Sequence, residues 1–357
     1  MPPVHQTLLS LTATGAGCGA DIHPDLLPEE WDELFAITCQ QNVTALVCHA
    51  IEQVETNIPL VTKLKFATIK EQTISKYQFA QQALSELLNL FSTHGIDTML
   101  LKGFSLSRLY PQPELRHFGD IDYYQYGRWE EADALVSNTF GINVSTQAHH
   151  HSKFSYRGIL VENHYDFICR YGQKGNGAFE RLLKEQAVSS KRPYGILGQP
   201  CYLPPQTFAA LFYLRHMAAH FAADRITIRH LLDWKFFCQA EGKEADWDFV
   251  RRAAQQYGFL PFASAMEEVC RIYFGHSPCL ATSSTEGLAN RVLTEMLDTS
   301  CNQHQLHNLP PLRRLGFKWR RRMGARWKHD ICYSAPWHVD LLYGIGAKIV
   351  KPHTILH

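Results

Sequence analysis

The sequence lacks the features that define membrane, secreted and strongly charged proteins. No apolar run approaches the roughly 20 residues of a membrane-spanning helix, so we expect no integral membrane segment. The 357 residues carry a formal net charge of +1, which excludes an overall field that would attract nucleic acid or an anionic membrane. The first 20 residues contain no Lys or Arg and do not resemble a secretory signal.

The ten cysteines form neither a C-x-x-C pair nor a zinc-ligand spacing. Several of them, such as Cys48, Cys238 and Cys270, stand among apolar residues at helical spacing. Such cysteines behave as small buried hydrophobic residues in a reducing compartment. With 45% hydrophobic and 19% charged residues, the sequence predicts a cytoplasmic globular protein with room for two or three compact units.

A glycine turn stands near the middle of the N-terminal half. The apolar run Met99-Leu100-Leu101 ends at Lys102-Gly103, and helical spacing begins at about Ser105. A strand that turns into a helix in this way presents backbone N–H groups, which suit a phosphate group, and Lys102 adds a positive charge. Lys102, Gly103 and Ser105 are therefore predicted to bind phosphate.

Two aspartates follow this turn within a short β-like alternation. Strand residues i and i+2 share a face, so Asp120 and Asp122 stand side by side. Adjacent carboxylates repel each other unless a cation such as Mg²⁺ or Mn²⁺ lies between them. Their repulsion predicts a raised pKa for at least one of the two. It also predicts that Asp122→Asn leaves the metal-free protein at least as stable. The alternative is a pair that ends a strand or caps a helix.

A later segment, Leu160–Ile168, alternates polar and apolar residues as a strand does. Glu162, His164 and Asp166 share one face of it, as the third side of a metal site would. Glu162 is the predicted third carboxylate, with Asp166 as the alternate and His164 as an accessory residue. A half-exposed edge strand with a solvated face is the competing interpretation, and the upstream aspartates favour the metal site.

Two further segments have simpler interpretations. The run His149-His150-His151 can bind metal, but a solvated loop is the favoured prediction. From Pro310 onward the chain is basic, with interleaved aromatic residues that include Trp319 and Trp327. Such a tail binds nucleic acid or an anionic membrane, or forms a solvated helix face whose aromatics dock on the protein. The near-zero net charge favours docking.

Together these motifs resemble the nucleotidyltransferase superfamily of DNA polymerase beta, in which a glycine-serine turn, a helix and an Asp-x-Asp follow one another. They are most similar to a branch of uncharacterised bacterial nucleotidyltransferases. The residues that carry the resemblance are Leu101-Lys102-Gly103, Leu109-Tyr110-Pro111, Arg116, Gly119-Asp120-Ile121-Asp122 and the acid-x-His pair Glu162 and His164. One departure is Phe104, which follows the glycine where the superfamily has Gly or Ser.

The resemblance extends from about Trp31 to Phe237 and implies a fold class. We expect an α+β protein whose polymerase-beta-like mixed sheet is flanked by N- and C-terminal helical regions. The implied domains are an N-terminal helical region at 1–94, the nucleotidyltransferase core at 95–175, a C-terminal helical domain at 176–300 and a basic, aromatic tail at 301–357.

The same resemblance implies a reaction, in which a nucleoside monophosphate moves from an NTP to an unknown acceptor with release of pyrophosphate. The acceptor is a small molecule, a protein or a nucleic acid. Asp120, Asp122 and Glu162 would be catalytic and would hold Mg²⁺ or Mn²⁺. Arg116 would either neutralise the triphosphate or pair with Glu114 or Asp120.

Two other functions remain open at this point. A catalytically inactive nucleotide-sensing or protein-interaction module is favoured by the altered glycine turn. An Asp-x-Asp glycosyltransferase is less favoured, because that class has a nucleotide-binding α/β region before the motif and the residues here are mostly helical.

Overall fold

One mixed sheet supports the residues singled out above. In the computed structural model its strands are β1 (Met99–Leu100), β2 (Ile121–Tyr124), β3 (His151–Tyr156), β4 (Ile159–His164), β5 (Arg192–Ile196) and β6 (Gln199–Leu203). Their spatial order is β3-β4-β2-β1-β6-β5. The β2–β4 and β1–β6 pairs are parallel, and the β1–β2, β3–β4 and β5–β6 pairs are antiparallel. The structure describes residues 1–19, 22–146, 150–170, 173–280, 286–298 and 324–350.

Helices account for most of the remaining described chain. They are α1 (Pro3–Gly15), α2 (Pro28–Gln41), α3 (Thr44–Ile51), α4 (Leu60–Thr93), α5 (Phe104–Ser107), α6 (Trp129–Phe140), α7 (Asn176–Ala187), α8 (Gln206–Ala223), α9 (Ile228–Glu241), α10 (Trp247–Gln256), α11 (Leu260–Phe274), α12 (Glu286–Leu297), α13 (Arg326–Cys332) and α14 (Trp337–Val350). Short 3-10 turns occur at Pro113–Leu115 and Gly242–Glu244. No helix in the described ranges is long and apolar enough to cross a membrane.

The chain divides into two compact units. The helical unit contains the described residues within Met1–Thr68, Leu214–Lys235 and Trp247–Trp337. The sheet unit contains those within Ile69–Tyr213, Phe236–Asp246 and His338–His357. Both units are assembled from segments that are far apart in sequence.

The core of the sheet unit lies on one face of the sheet. Ile121 and Tyr123 of β2 and Val161 of β4 are buried there, together with apolar residues of α4 and α6 such as Leu87 and Val136. Side chains alternate along a strand. The residues between these apolar positions therefore project from the opposite face, which carries the candidate site.

Helix ends in the helical unit follow the sequence signals. Pro28 begins α2, and the backbone N–H of Leu27 donates to the carboxylate of Glu30. Farther along the unit, the side-chain amide of Gln41 donates to the carbonyl of Met296 and accepts from the N–H of Ile228. A buried amide that serves two backbone groups ties three segments of the unit together.

The described part of the tail contains Trp327 of α13, which packs on Phe221, with ring centroids 5.7 Å apart, and lies under the guanidinium of Arg291 at 3.9 Å. Both partners belong to the helical unit. This contact matches the interpretation in which tail aromatics dock on the protein. Trp319, which also prompted that interpretation, lies outside the described residues.

The strand predicted over Leu160–Ile168 is shorter in the structure. Strand β4 ends at His164, because the backbone N–H groups of Phe167 and Ile168 donate to the carboxylate of Glu180 on α7. A side chain therefore satisfies these groups in place of a neighbouring strand.

Candidate active site

Asp122 is the most enclosed carboxylate of the site. It lies on β2, its side chain is fully buried, and Oδ1 is 2.9 Å from Nζ of Lys102 and 3.0 Å from Nε2 of His164. The other oxygen, Oδ2, is buried and makes no hydrogen bond. A buried carboxylate oxygen without a donor is costly, so Oδ2 is an open ligand position.

Burial and charge act in opposite directions on this pair. Burial lowers the pKa of Lys102, but the carboxylates of Asp122, Asp120 and Glu162 outweigh that effect, so its pKa is raised. Burial raises the pKa of Asp122, but Lys102 and His164 outweigh it and hold this pKa well below its ordinary value. The shift at Asp122 is opposite to the one expected from repulsion between the two aspartates, because Lys102 is its nearest charged neighbour.

Glu162 is brought to Asp122 by strand register. Strands β2 and β4 are parallel, with Asp122 directly opposite Glu162 and Tyr124 opposite His164. Oε2 of Glu162 is 3.9 Å from Nε2 of His164. The ligand atoms of Asp122, Glu162 and His164 all lie within 4.8 Å of one another. Three of the predicted site residues therefore form one buried cluster.

The hydrogen bonds of His164 indicate which nitrogen can bind a cation. Its Nδ1 is 3.2 Å from the backbone carbonyl oxygen of Asp166, and its Nε2 is 3.0 Å from Oδ1 of Asp122. Both neighbours are acceptors, whereas a neutral imidazole carries one N–H. The ring either holds two protons or donates from Nδ1 and directs the Nε2 lone pair at the cluster, as metal-binding histidines do.

The glycine turn touches the aspartate strand directly. The N–H of Leu101 donates to the carbonyl of Asp122 at 3.0 Å. Gly103 has a φ of 59° and a ψ of −104°, and a Cβ there would lie 3.1 Å from the carbonyl oxygen of Asp120. Only glycine adopts this conformation without strain. The glycine therefore allows Lys102 to reach Asp122.

The residues after the glycine point into the protein. Phe104 packs on Tyr77 and Phe118, with ring centroids 5.4 and 4.7 Å apart. The hydroxyl of Ser105 is buried, donates to the carbonyl of Leu101 at 2.6 Å and lies 3.0 Å from the hydroxyl of Tyr213. This orientation differs from the predicted phosphate-binding role, because a hydroxyl bonded back to the residue four positions earlier supports the turn instead.

Asp120 lies at the margin of the cluster, and Arg116 is buried in the segment that precedes it. Asp120 precedes β2 and is partly exposed, and it does not belong to the group of ligand atoms within 4.8 Å. The side chain of Arg116 is 2% exposed, and its Nη1 donates to the carbonyl of His117. The two aspartates differ in burial because Asp120 stands before the first residue of β2, whereas Asp122 lies inside the strand.

Asp166, the predicted alternate carboxylate, has other partners. Its Oδ1 is 2.5 Å from Nη2 of Arg170 and 2.6 Å from Nζ of Lys184. It follows the end of β4, so the alternation that placed it beside Glu162 no longer applies. Among the described residues, the third carboxylate within reach of Asp122 and His164 is Glu162.

Two histidines that the sequence assigned to a solvated loop lie against the cluster. His151 begins β3 directly opposite His164 and is 5% exposed, and His150 precedes it. Burial, together with His151 and His164, lowers the pKa of His150 to about 2. Burial, with His164 and Lys153, lowers the pKa of His151 to about 3. Both rings are therefore neutral near pH 7. His149 lies outside the described residues.

The donors present fit a divalent cation. Asp122 contributes an unbonded carboxylate oxygen, Glu162 a second carboxylate and His164 a ring nitrogen. Carboxylate oxygens suit Mg²⁺ and Mn²⁺, and an added imidazole suits Mn²⁺ and heavier first-row metals. The cluster has the chemistry of a small metal site beside a lysine.

A mixed sheet with a metal-type cluster next to a glycine turn is consistent with a nucleotidyltransferase-like α+β protein. The profile of a family described as uncharacterised nucleotidyltransferase matches residues 28–275. The match covers well over half of the chain, so the chain belongs to this family, as the sequence motifs predicted. No match was found among curated proteins.

One solved structure similar to this chain is that of an antigenic nucleotidyltransferase-like protein from Paracoccidioides brasiliensis. The two sequences are 13% identical. The match covers 44% of this chain and 72% of the other, with a TM-score of 0.31.

Proposed function

We propose that this chain is a metal-dependent nucleotidyltransferase that moves a nucleoside monophosphate from an NTP to an acceptor and releases pyrophosphate. The observation that carries the proposal is the buried cluster of Asp122, Glu162 and His164 beside Lys102 and Gly103. Family membership supplies the general reaction.

Asp122, Glu162 and His164 would hold Mg²⁺ or Mn²⁺, with Asp120 at the exposed edge for a second ion. Such ions, when bound, neutralise and orient the phosphate oxygens. The open Oδ2 of Asp122 supports this assignment, because a hydrogen-bonded oxygen would first lose its donor.

Lys102 is placed to contact the triphosphate. Its ammonium group is charged and is held at Asp122 by the glycine turn. A phosphate oxygen can replace the carboxylate as its partner with little movement of the turn. This exchange predicts that nucleotide and divalent cation bind synergistically, since Lys102 already neutralises much of the charge that would otherwise attract the cation.

Glu162 is the residue best placed to accept a proton from the acceptor. An acceptor oxygen would attack the α-phosphorus, the bond from that phosphorus to the bridging oxygen would break, and pyrophosphate would leave. The acceptor's proton would pass to the carboxylate of Glu162. The cluster lies among neighbouring strands, which holds these groups rigidly.

A nucleotide-sensing module is the second candidate, and the glycine turn favours it. Phe104 occupies the position where the superfamily has a small residue, and it packs in the core. The hydroxyl of Ser105 is committed to Leu101. A turn that offers no side-chain hydroxyl to phosphate grips a triphosphate less firmly, which suits binding without turnover.

Two measurements separate these functions. A thermal-shift panel would test each of the four NTPs with and without Mg²⁺ or Mn²⁺. We expect one NTP to raise Tm strongly only when a divalent ion is present, and Asp122→Asn to remove this synergy. The second measurement is pyrophosphate release with a cell extract as the acceptor mixture, which only the enzyme would show.

The outcomes are distinct. Synergy with pyrophosphate release that is lost in Asp122→Asn supports the enzyme. Synergy without release across a broad acceptor screen supports the sensor. If Asp122→Asn leaves the synergy unchanged, the proposed metal site is wrong.

The described cysteines support a reducing, cytoplasmic location for this activity. No disulfide joins the cysteines within the described ranges, and Cys48, Cys238 and Cys270 are buried, as expected from their apolar surroundings. Labelling of thiols in protein isolated without reductant would test this location, since a disulfide would contradict it.

A further inference from the structure

Three imidazole rings meet beside the carboxylate cluster. The ligand nitrogens of His150, His151 and His164 lie within 4.8 Å of one another. The ring centroids of His151 and His164 are 5.1 Å apart, and those of His150 and His151 are 4.3 Å apart. Strand pairing fixes this arrangement, because β3 places His151 directly opposite His164.

The backbone holds His150 in the same place. Its carbonyl oxygen accepts hydrogen bonds from the N–H groups of Tyr165 and Asp166, at 3.1 and 3.0 Å. These residues directly follow His164 at the end of β4. The residue before β3 is therefore tied to the residues after β4, and the three rings do not depend on a loop for their positions.

Three nitrogens of these rings are buried without hydrogen bonds. Neither ring nitrogen of His151 makes a hydrogen bond, although the residue is 5% exposed, and Nδ1 of His150 is likewise buried and unsatisfied. Each such nitrogen costs free energy unless it acquires a partner. A cation that accepts nitrogen lone pairs supplies that partner for several rings at once.

Glu162 adds an oxygen to the nitrogen set. Its Oε1 is 3.3 Å from Nε2 of His151, and its Oε2 is 3.9 Å from Nε2 of His164. The ammonium group of Lys102 lies beside the carboxylate of Asp122, and that of Lys153 lies beside the carboxylate of Glu162. These lysines neutralise part of the negative charge that would attract a hard cation such as Mg²⁺. The lone pairs of the imidazoles can still bind a borderline-soft cation, because that bond does not depend on the net charge.

We propose that His150, His151 and His164, completed by Glu162, form a binding site for a first-row transition metal of the Zn²⁺ class. Three histidines and a carboxylate are a donor set that Zn²⁺ and Co²⁺ accept in four-coordinate geometry. The site shares Glu162 and His164 with the proposed Mg²⁺ site, but its other ligands, His150 and His151, have no part in the proposed nucleotidyl transfer. It should therefore bind its ion in the absence of nucleotide.

The experiment measures metal binding directly. Chelator-stripped protein without nucleotide would be titrated with Co²⁺ and followed by its visible absorption, and Zn²⁺ affinity would be measured by competition with a chromophoric chelator. We expect one ion per chain, intense bands typical of four-coordinate Co²⁺, and displacement of Co²⁺ by Zn²⁺ but not by excess Mg²⁺.

Variants assign the ligands. His151→Gln should lower Zn²⁺ affinity at least ~100-fold, since loss of even an indirect partner of a metal ligand costs roughly 10- to 100-fold. The control is His94→Gln, an exposed histidine of the same unit whose Nδ1 lies near the carbonyl of Leu90. It should bind Zn²⁺ as the wild type does, which would show that the lower affinity of His151→Gln is not a general effect of removing a histidine.

A measurement without variants covers the case in which His151→Gln fails to fold. Zn²⁺ should protect His150, the partly exposed member of the cluster, but not the exposed His94, from carbethoxylation, as read by mass spectrometry. Absence of a stoichiometric ion, equal affinity in His151→Gln, or equal protection at His94 would overturn the proposal.

The two proposals fail separately. Loss of the Zn²⁺ site with intact synergy between Mg²⁺ and NTP would leave the nucleotidyltransferase proposal standing. Histidine-dependent Zn²⁺ binding without that synergy would do the reverse.

Discussion

Nζ of Lys102 lies 2.9 Å from Oδ1 of Asp122, and the carboxylate is fully buried. The two residues belong to different motifs, a glycine turn and an Asp-x-Asp, which the antiparallel pairing of β1 and β2 brings together. In the protein alone the lysine therefore serves as the cation of the aspartate. A phosphate oxygen that takes Lys102 as its partner must rearrange this pair, so the pair sets the starting state of the site.

Asp122→Asn should destabilise the metal-free protein. Repulsion between Asp120 and Asp122 predicted the opposite, but removal of Asp122 leaves the ammonium group of Lys102 buried without its nearest counterion. Breaking a buried pair from one side costs ~3 to 5 kcal/mol. Urea unfolding without divalent ions measures this loss.

Two comparisons make that measurement specific. Asp32→Asn breaks an exposed pair with Lys65 and should reduce the stability much less, because solvent screens that pair. The double variant Lys102→Met, Asp122→Asn should recover much of the lost stability, because no lone charge remains. If Asp122→Asn is as stable as the wild type, Lys102 does not depend on Asp122.

Glu162 and Asp166 provide a matched pair of carboxylate variants. Glu162→Gln should reduce pyrophosphate release by ~100-fold or more, the usual size of a general-base contribution, because its carboxylate belongs to the cluster. Asp166→Asn should leave the rate within error of the wild type, since its carboxylate pairs with Arg170 and Lys184. The reverse order of the two rates would assign the third carboxylate to Asp166.

Alanine variants of Gly103 and Gly141 should distinguish the cost of backbone strain from the cost of a steric contact. Both have positive φ, 59° and 66°, but a Cβ would lie 3.1 Å from the carbonyl oxygen of Asp120 at Gly103 and would meet nothing within 4 Å at Gly141. Gly141→Ala should cost ~1 kcal/mol. Gly103→Ala should cost more and should also weaken NTP binding, because the turn must move away from Asp120.

Thermal unfolding and nucleotide titration of both variants test this difference. Equal stability losses, with unchanged nucleotide affinity in each, would show that the contact between the turn and Asp120 is unimportant.

Local motifs of the site could be predicted because each is encoded within a few residues. The alternation of Ile121 and Tyr123 with Asp122 places the aspartate on the face opposite the core, and the structure has it there. The strand that carries Glu162 and His164 was predicted by the same period. The end of this strand was not predicted. It is set by the carboxylate of Glu180 on α7, which accepts the backbone hydrogen bonds of Phe167 and Ile168 in place of a neighbouring strand.

The long-range pairings were not predictable from single segments. Strand β1 contains two residues, which is too short a pattern to fix its register with β2 and hence the pairing of Lys102. The register of His151 did have a signal. Arg157 and Gly158 both have positive φ, 51° and 77°, as in a two-residue type I′ turn, and such a turn places His151 opposite His164. The histidine run was nevertheless assigned to a solvated loop because it is polar.

The carboxylate of Glu180 should make stability depend on pH. Burial raises the pKa of Glu180 to about 7, despite hydrogen bonds from the backbone of Phe167 and Ile168, and the nearby charge of Asp166 acts in the same direction. In the unfolded chain the same group titrates near 4.5. Between these values the folded state binds the proton and the unfolded state does not, so stability falls as pH rises.

Glu180→Gln isolates this contribution, because glutamine stays neutral and keeps one acceptor oxygen for the backbone N–H groups. The unfolding free energy of the wild type, relative to Glu180→Gln, should fall by up to ~3 kcal/mol between pH 4.5 and 7 and change little outside that window. Urea unfolding across this range measures the difference. Glu185→Gln, at an exposed site on the same helix, serves as the control. A relative stability that is constant or rises with pH would show that Glu180 is ionised in the folded protein, held by Phe167, Ile168 and Lys184.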